Sequence, residues 1–278
     1  MATFTSEATG NFTSNVVWGK AAGAVEGVNY PGPNDDIVLG ATYVVTLDLT
    51  TAPSTGTYNS ISGNGQLSIV MDANDVVLSA TTITAGTVGA TGSIALSGAA
   101  PTKTLTITGN IVGAASGTNT RGLVKTSTCA LVINGNATGG AAGNGFGVSV
   151  TAAGAITVNN ITGGAGVSAY GLSIAAASAP VTIVNNCTGG GFNAHGFTTN
   201  QASQTWSVGG NIIDGSVAPA YAGKVPTWTP TAANYYQVTA GKLALEVAAA
   251  NLKKDIVNGT VTGTYAFNVN GISVTGPA

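Results

Sequence analysis

Leu105-Thr-Ile-Thr-Gly-Asn110, Leu131-Val-Ile-Asn-Gly-Asn136, Ile156-Thr-Val-Asn-Asn160, Val181-Thr-Ile-Val-Asn-Asn186 and Trp206-Ser-Val-Gly-Gly-Asn211 are five versions of one phrase. Their first residues fall 26, 25, 25 and 25 positions apart. A period of that length marks stacked structural units, none of which buries its hydrophobic side alone. Each phrase opens with strict alternation: Leu105/Ile107, Leu131/Ile133, Ile156/Val158, Val181/Ile183 and Trp206/Val208. Alternation of period two places these apolar residues on one side of a strand and Thr or Asn on the other.

Two further registers run through the same unit. Asn-x-x-Gly recurs at 110/113, 136/139, 160/163 and 186/189, and the fifth copy departs from it with Asp214-Gly215 after Asn211. Glycine there is expected to allow positive φ at a sharp corner, and stacked Asn amides to hydrogen-bond from one unit to the next. Asn110, Asn136, Asn160, Asn186 and Asn211 are thus the expected corner ladder. A bulky residue, then Gly, then an apolar residue recurs at Arg121-Gly-Leu123, Phe146-Gly-Val148, Tyr170-Gly-Leu172 and His195-Gly-Phe197. A second strand follows it, as in Val148-Ser-Val150. Units of 25 residues are too short for strand–helix–strand crossovers. An antiparallel sandwich gives no reason for the same corner residues at a fixed interval. The expectation is an all-β fold, a parallel β-helix that rises by about 4.8 Å per coil.

Outward from the five regular coils of 105–230, strand signals of the same kind begin at Ile37-Val-Leu39 and continue through Tyr43–Leu47, Leu67–Ile69, Val76–Leu78, Thr82–Thr84 and Ile94–Leu96. The β-helix is therefore assigned to 37–230. A solenoid must cover the open strands at its ends. Residues 1–36, with Trp18, are the expected irregular N-terminal cap. Residues 231–278 are the expected C-terminal cap. They include a short helix at 245–256, where Leu245, Ala248, Leu252 and Ile256 share a face. Lys253 and Lys254 sit in its last turn, Asn258-Gly259 closes it, and strand resumes over 259–269.

Charged residues make up 6% of the chain, against roughly 25% in ordinary globular domains. The net charge is −2. No basic stripe for nucleic acid and no polybasic membrane patch can be drawn from so few charges. The N-terminus reads as no secretory signal, and no run of 18 apolar residues suggests a membrane span. Cys129 and Cys187 are too few for a disulfide framework and fall in different columns of the repeat, so both are expected as small buried thiols.

The acids decide the chemistry. They are Glu7, Glu26, Asp35, Asp36, Asp48, Asp72, Asp75, Asp214, Glu246 and Asp255, so none lies between 76 and 213. Glycan cleavage on a β-helix needs paired carboxylates, or carboxylates on calcium. The regular coils offer neither, and no cofactor, metal or catalytic residue is expected. Asp35-Asp36 and the Asp72/Asp75 pair are carboxylates close enough to bind a cation, though turn formation and capping by short Asp side chains is the favoured reading, and Asp48 belongs on the solvent side of its strand. His195, the one histidine, shares a column with Arg121, Phe146 and Tyr170, residues of no common chemistry. Phe146, Tyr170 and Tyr221 form a candidate strip, either for a glycan or for a subunit interface. The row opened by Thr106-Ile-Thr108 is not sustained in later coils, which argues against ice binding.

Three stretches carry a resemblance to the β-helical virion proteins of tailed bacteriophages, capsid decoration (cement) proteins and more distantly tailspikes. The first is Trp18, then Pro33-Asn-Asp-Asp-Ile-Val-Leu-Gly40 and Tyr43-Val-Val-Thr-Leu-Asp48, similar to modules that start phage solenoids. The second is the stacked Asn and Gly corners. The third is Leu252-Lys-Lys-Asp-Ile-Val-Asn-Gly-Thr-Val-Thr-Gly-Thr-Tyr265, which looks like a tail segment of phage structural proteins. The resemblance implies a non-enzymatic homotrimer on the capsid surface, with the major capsid protein or other virion proteins as partners, and neither nucleic acid nor membrane. Tailspikes often carry carboxylates on the solenoid, and this chain does not. The alternatives are a tail fibre or adhesin that holds a host glycan on the Phe146–Tyr170 strip, and a glycan-cleaving enzyme that draws Asp35, Asp36, Asp72 or Asp214 together across subunits.

Overall fold

The computed structural model describes residues 1–48, 55–72, 74–84, 86, 92–115, 120–141, 143–175, 179–191, 194, 196–199, 206–208 and 212–213, together with strand segments 256–257, 260–261, 266–269 and 272–275. Alternating short strands wind into a parallel β-solenoid with three faces. The first face stacks Val76–Ser79, Thr104–Ile107, the start of Ala130–Thr138, the start of Ile156–Thr162, Val181–Ile183 and Trp206–Val208. Leu105 pairs with Leu131, Leu131 with Ile156, Ile156 with Val181 and Val181 with Trp206, so the sequence repeat is the hydrogen-bonded register.

The second face is what the Asn-x-x-Gly register contains. Asn110–Val112 leads to the ends of the two long strands, then to Cys187–Thr188 and Ile212–Ile213. Ala130–Thr138 and Ile156–Thr162 run unbroken round the corner, with a register shift between Ile133 and Asn136. Across that shift the step to the next coil falls from 25 residues at Ile133–Val158 to 24 at Asn136–Asn160. The first two faces therefore form one 14-stranded sheet, and the third face is a separate 8-stranded sheet of the Leu123–Lys125, Val148–Val150 and Leu172–Ile174 type.

The core is the set of inward columns. On the second face Phe4, Ile37, Ile61, Ile83, Ile111, Ala137, Ile161 and Cys187 follow one another in register, all nearly without solvent exposure. β-branched side chains suit this position because their fixed χ1 lets like nest on like along the axis. Each such side chain contributes about 1.5–3 kcal/mol through burial.

The solenoid starts before residue 37. Thr3–Thr5 pairs parallel with Asp36–Leu39, and Gly10–Asn11 with Val44–Asp48. The N-terminal segment is therefore a partial coil. A 3-10 turn at Asn15–Trp18 then folds over the core. Trp18 lies edge-on to Phe4 and Phe12, with centroids 6.2 and 5.4 Å away, and its indole N–H donates to Phe12 O at 2.6 Å. This plug closes the N-terminal end of the core.

In the segment expected as the C-terminal cap, residues 245–255 of the expected helix lie outside the described residues. Ile256 opens a strand, Ile256–Val257, paired antiparallel with Thr260–Val261. Asn258-Gly259, the expected helix stop, lies outside the described residues. Ala266–Val269 pairs antiparallel with Ile272–Thr275.

Candidate functional site

The outer corner between the second and third faces gathers the bulky column. Arg121, Phe146 and Tyr170 are half-exposed and stand one coil apart. Phe146 and Tyr170 stack at 5.3 Å between centroids and 9° between planes. The guanidinium carbon of Arg121 lies 5.1 Å from the Phe146 ring centre. Coil order puts Arg121 on one side of Phe146 and Tyr170 on the other, so both faces of that ring are covered. A sugar stacks on an open ring face. This ladder presents Phe146 by its edge instead. Burial holds the Arg121 guanidinium below its ordinary pKa, and its Nε is buried without a hydrogen-bond partner. Tyr221, the other expected member of the strip, and His195, the next residue of the column, lie outside the described residues.

The Asn column is hydrogen-bonded along the axis. Asn136 N donates to Asn110 Oδ1 at 3.0 Å, Asn160 Nδ2 to Asn136 Oδ1 at 2.8 Å, and Asn186 N to Asn160 Oδ1 at 3.1 Å. A second rung absent from the sequence reading joins Asn185 Nδ2 to Asn159 Oδ1 at 2.6 Å. Asn211 lies outside the described residues. The corner glycines serve another purpose than the one expected. Gly113, Gly139 and Gly163 are not among the residues with positive φ. A Cβ on them would run into Thr120 O, Gly145 O and Ala169 O respectively. Close backbone approach, not left-handed geometry, requires glycine there.

The carboxylates are engaged in joining segments. Asp35 is buried and accepts from Ala2 N at 2.6 Å and Gly32 N at 3.0 Å. Asp36 Oδ1 accepts from Asn59 Nδ2 at 2.7 Å and Ser60 Oγ at 2.5 Å, one coil on. Those two hydrogen bonds, Ser60 first, hold its pKa below the usual value. Asp75 Oδ1 accepts from Thr104 N at 2.7 Å across the same kind of step. Asp48 is half-buried in its strand and Asp72 is exposed; Asp214 lies outside the described residues. Among the described residues no three His, Cys, Asp or Glu gather as a metal site would need, and no helix is long and apolar enough to cross a membrane. Cys129 and Cys187 are free and buried. The Cys187 thiol donates to Gly196 O at 2.8 Å, and burial pushes its pKa up, which keeps it from acting as a nucleophile near neutral pH.

Lys125 escaped the sequence reading. It pairs with Leu96 before it and Val150 after it, so it occupies an inward position of the third face. It has no solvent exposure. The strand Leu123-Val-Lys125 carried the signal, since alternation from Leu123 points Lys125 into the core. Its ammonium donates to Ser127 O at 2.6 Å, Ala153 O at 2.5 Å and Ala152 O at 3.5 Å.

Comparison with protein-family models, curated proteins and solved structures finds no match for this chain.

Proposed function

We propose that this chain is a non-enzymatic structural protein of a bacteriophage virion, a decoration or cement protein that stabilises the head shell as a homotrimer. The observation that carries the reading is the use made of polar side chains. The outward Asn column is spent on coil-to-coil hydrogen bonds, and the carboxylates of Asp35, Asp36 and Asp75 bind backbone or neighbouring coils. The resemblance at both ends of the chain supplies the virion context, the trimer and the shell proteins as partners. A rigid, nearly uncharged post suits attachment through a broad neutral interface.

Gold-labelled antibody against the protein, viewed on intact particles, tests this. Label over the head shell is the expected result. Label confined to the tail, or release of sugar from a host polysaccharide by the purified protein, overturns it.

The half-exposed Phe146–Tyr170 stack supports a second reading, a glycan-binding fibre or adhesin. Loss of glycan binding in Tyr170→Ala would promote it, although the covered faces of Phe146 favour packing against protein.

A further inference from the structure

We propose that the corner formed by residues 125–129 and 151–155 is a monovalent-cation site, occupied by the chain's own Lys125 ammonium. The inference is independent of the role proposed above and concerns how two successive coils are held together.

The geometry has three parts. First, the carbonyls of Ser127, Ala152 and Ala153 converge on one point, Lys125 Nζ, from two successive coils. Such a carbonyl cluster replaces the hydration shell of a small cation. Second, the approach of the two corners is enforced by backbone. Gly154 has φ 107°, and a Cβ there would strike Cys129 O and Thr128 O. Thr151 N donates to Lys125 O at 2.9 Å, and Thr126 N to Leu96 O at 2.8 Å. Third, the sequence provides no carboxylate for this cation, since no acid lies between 76 and 213.

Taking an ammonium out of water is costly, and burial does pull Lys125 below the ordinary lysine pKa, with nearby Cys129 opposing the shift. Leu96, Val150 and Ile174 fill the matching column positions with hydrocarbon. A lysine at this level is therefore not needed to fill space. It supplies charge to carbonyls that the tight corner points at one another.

If so, a free cation of similar size should take the place of a shortened side chain. The probes are ammonium chloride, potassium chloride and choline chloride at equal ionic strength, with thermal unfolding of the wild type and Lys125→Ala as the readout. Lys125→Ala should lower Tm by on the order of 10 °C in choline. Ammonium or potassium should restore about half of that loss through mass action, and leave the wild type unmoved. Equal behaviour in all three salts overturns the proposal. So does a Lys125→Met protein as stable as the wild type, because hydrocarbon alone would then suffice. Should Lys125→Ala fail to fold in any salt, nitrogen-15 NMR of the wild type decides. A lysine ammonium signal protected from exchange, with contacts to Ser127 and Ala153, is expected at neutral pH. A neutral amine at that site overturns the proposal.

Discussion

At the N-terminal end, Phe4, Phe12, Trp18 and Tyr58 close the core, while Asp35, Asp36 and Asp75 tie separate segments together through side-chain hydrogen bonds. From Thr104 to Ile183, like stacks on like instead. Leucine and isoleucine columns fill the interior, asparagines bond along one corner, and glycines let backbones meet along another. The first region adds contacts specific to one position to the inward columns it shares with the rest. The second is held mainly by contacts that recur from coil to coil, with Lys125 the exception. This difference teaches where single changes should hurt. A unique contact has no substitute, whereas one rung of a column leaves its neighbours in place, except where stacking tolerates no added volume.

The plug should therefore be the most sensitive point. Trp18 is 2% exposed and touches two rings. Trp18→Ala removes a large buried ring and its indole hydrogen bond, for a loss of about 3–5 kcal/mol in chemical denaturation. A loss below about 1 kcal/mol would mean that the end coil frays without consequence for the rest, and the comparison would fail at its first term.

Within the regular coils the sharpest test pairs two glycines. A Cβ at Gly164 would meet Gly140 O of the preceding coil, whereas one at Gly143 meets nothing within 4 Å. Gly164→Ala should cost about 1–3 kcal/mol or more through overpacking. Gly143→Ala should change stability by no more than about 0.5 kcal/mol. Equal effects would show that the coils separate easily, against a stacked column.

The asparagine ladder should respond more mildly. Asn160 donates to Asn136 and accepts from Asn186. Asn160→Ala removes both bonds at a half-exposed corner, for roughly 1 kcal/mol in the same assay. The matching change at Asn159, whose amide bonds only to Asn185 among the contacts described, should cost less.

These contrasts also explain what the sequence made legible. The period of 25, the inward columns of the first and third faces and the asparagine corner are local patterns that repetition amplifies, so they could be read directly. The second face was hidden inside the Asn-x-x-Gly register, because its strands are as short as Cys187–Thr188. The reason for glycine was misassigned because φ and crowding leave the same residue in the sequence. Only the coordinates show that Gly139 and Gly163 face a carbonyl. The partial coil at Thr3–Thr5 was read as irregular, since it is a single short strand with one alternation. Lys125 went unnoticed because a lone lysine is assumed to be solvated. Its partners, Ala152 and Ala153, offer only backbone, which no sequence motif records. The strip of Phe146 and Tyr170 was legible as a column, but the covering of its ring faces by Arg121 and by each other was not.

The smallest expected effect is also the most regional. Asp36 accepts from Ser60 Oγ and Asn59 Nδ2, and its folded pKa lies below the ordinary value for that reason. A depressed carboxylate stabilises the fold at pH above its unfolded value, near pH 4. That contribution is lost as pH falls through the lower folded value. Seven of the ten acids lie before residue 76 and none lies between 76 and 213. Acidification should therefore loosen the N-terminal coils first. Hydrogen exchange from about pH 5 down to about pH 3, corrected for the intrinsic pH dependence of exchange, should lose protection at Asp36–Gly63 while Leu131–Ile183 keeps its own. Asp36→Asn, which carries no charge to lose, should flatten that response at Asp36–Gly63. Loss of protection in step along the whole solenoid would mean that the two regions unfold as one unit. The contrast between unique and repeated contacts would then describe how the molecule is built without describing how it comes apart.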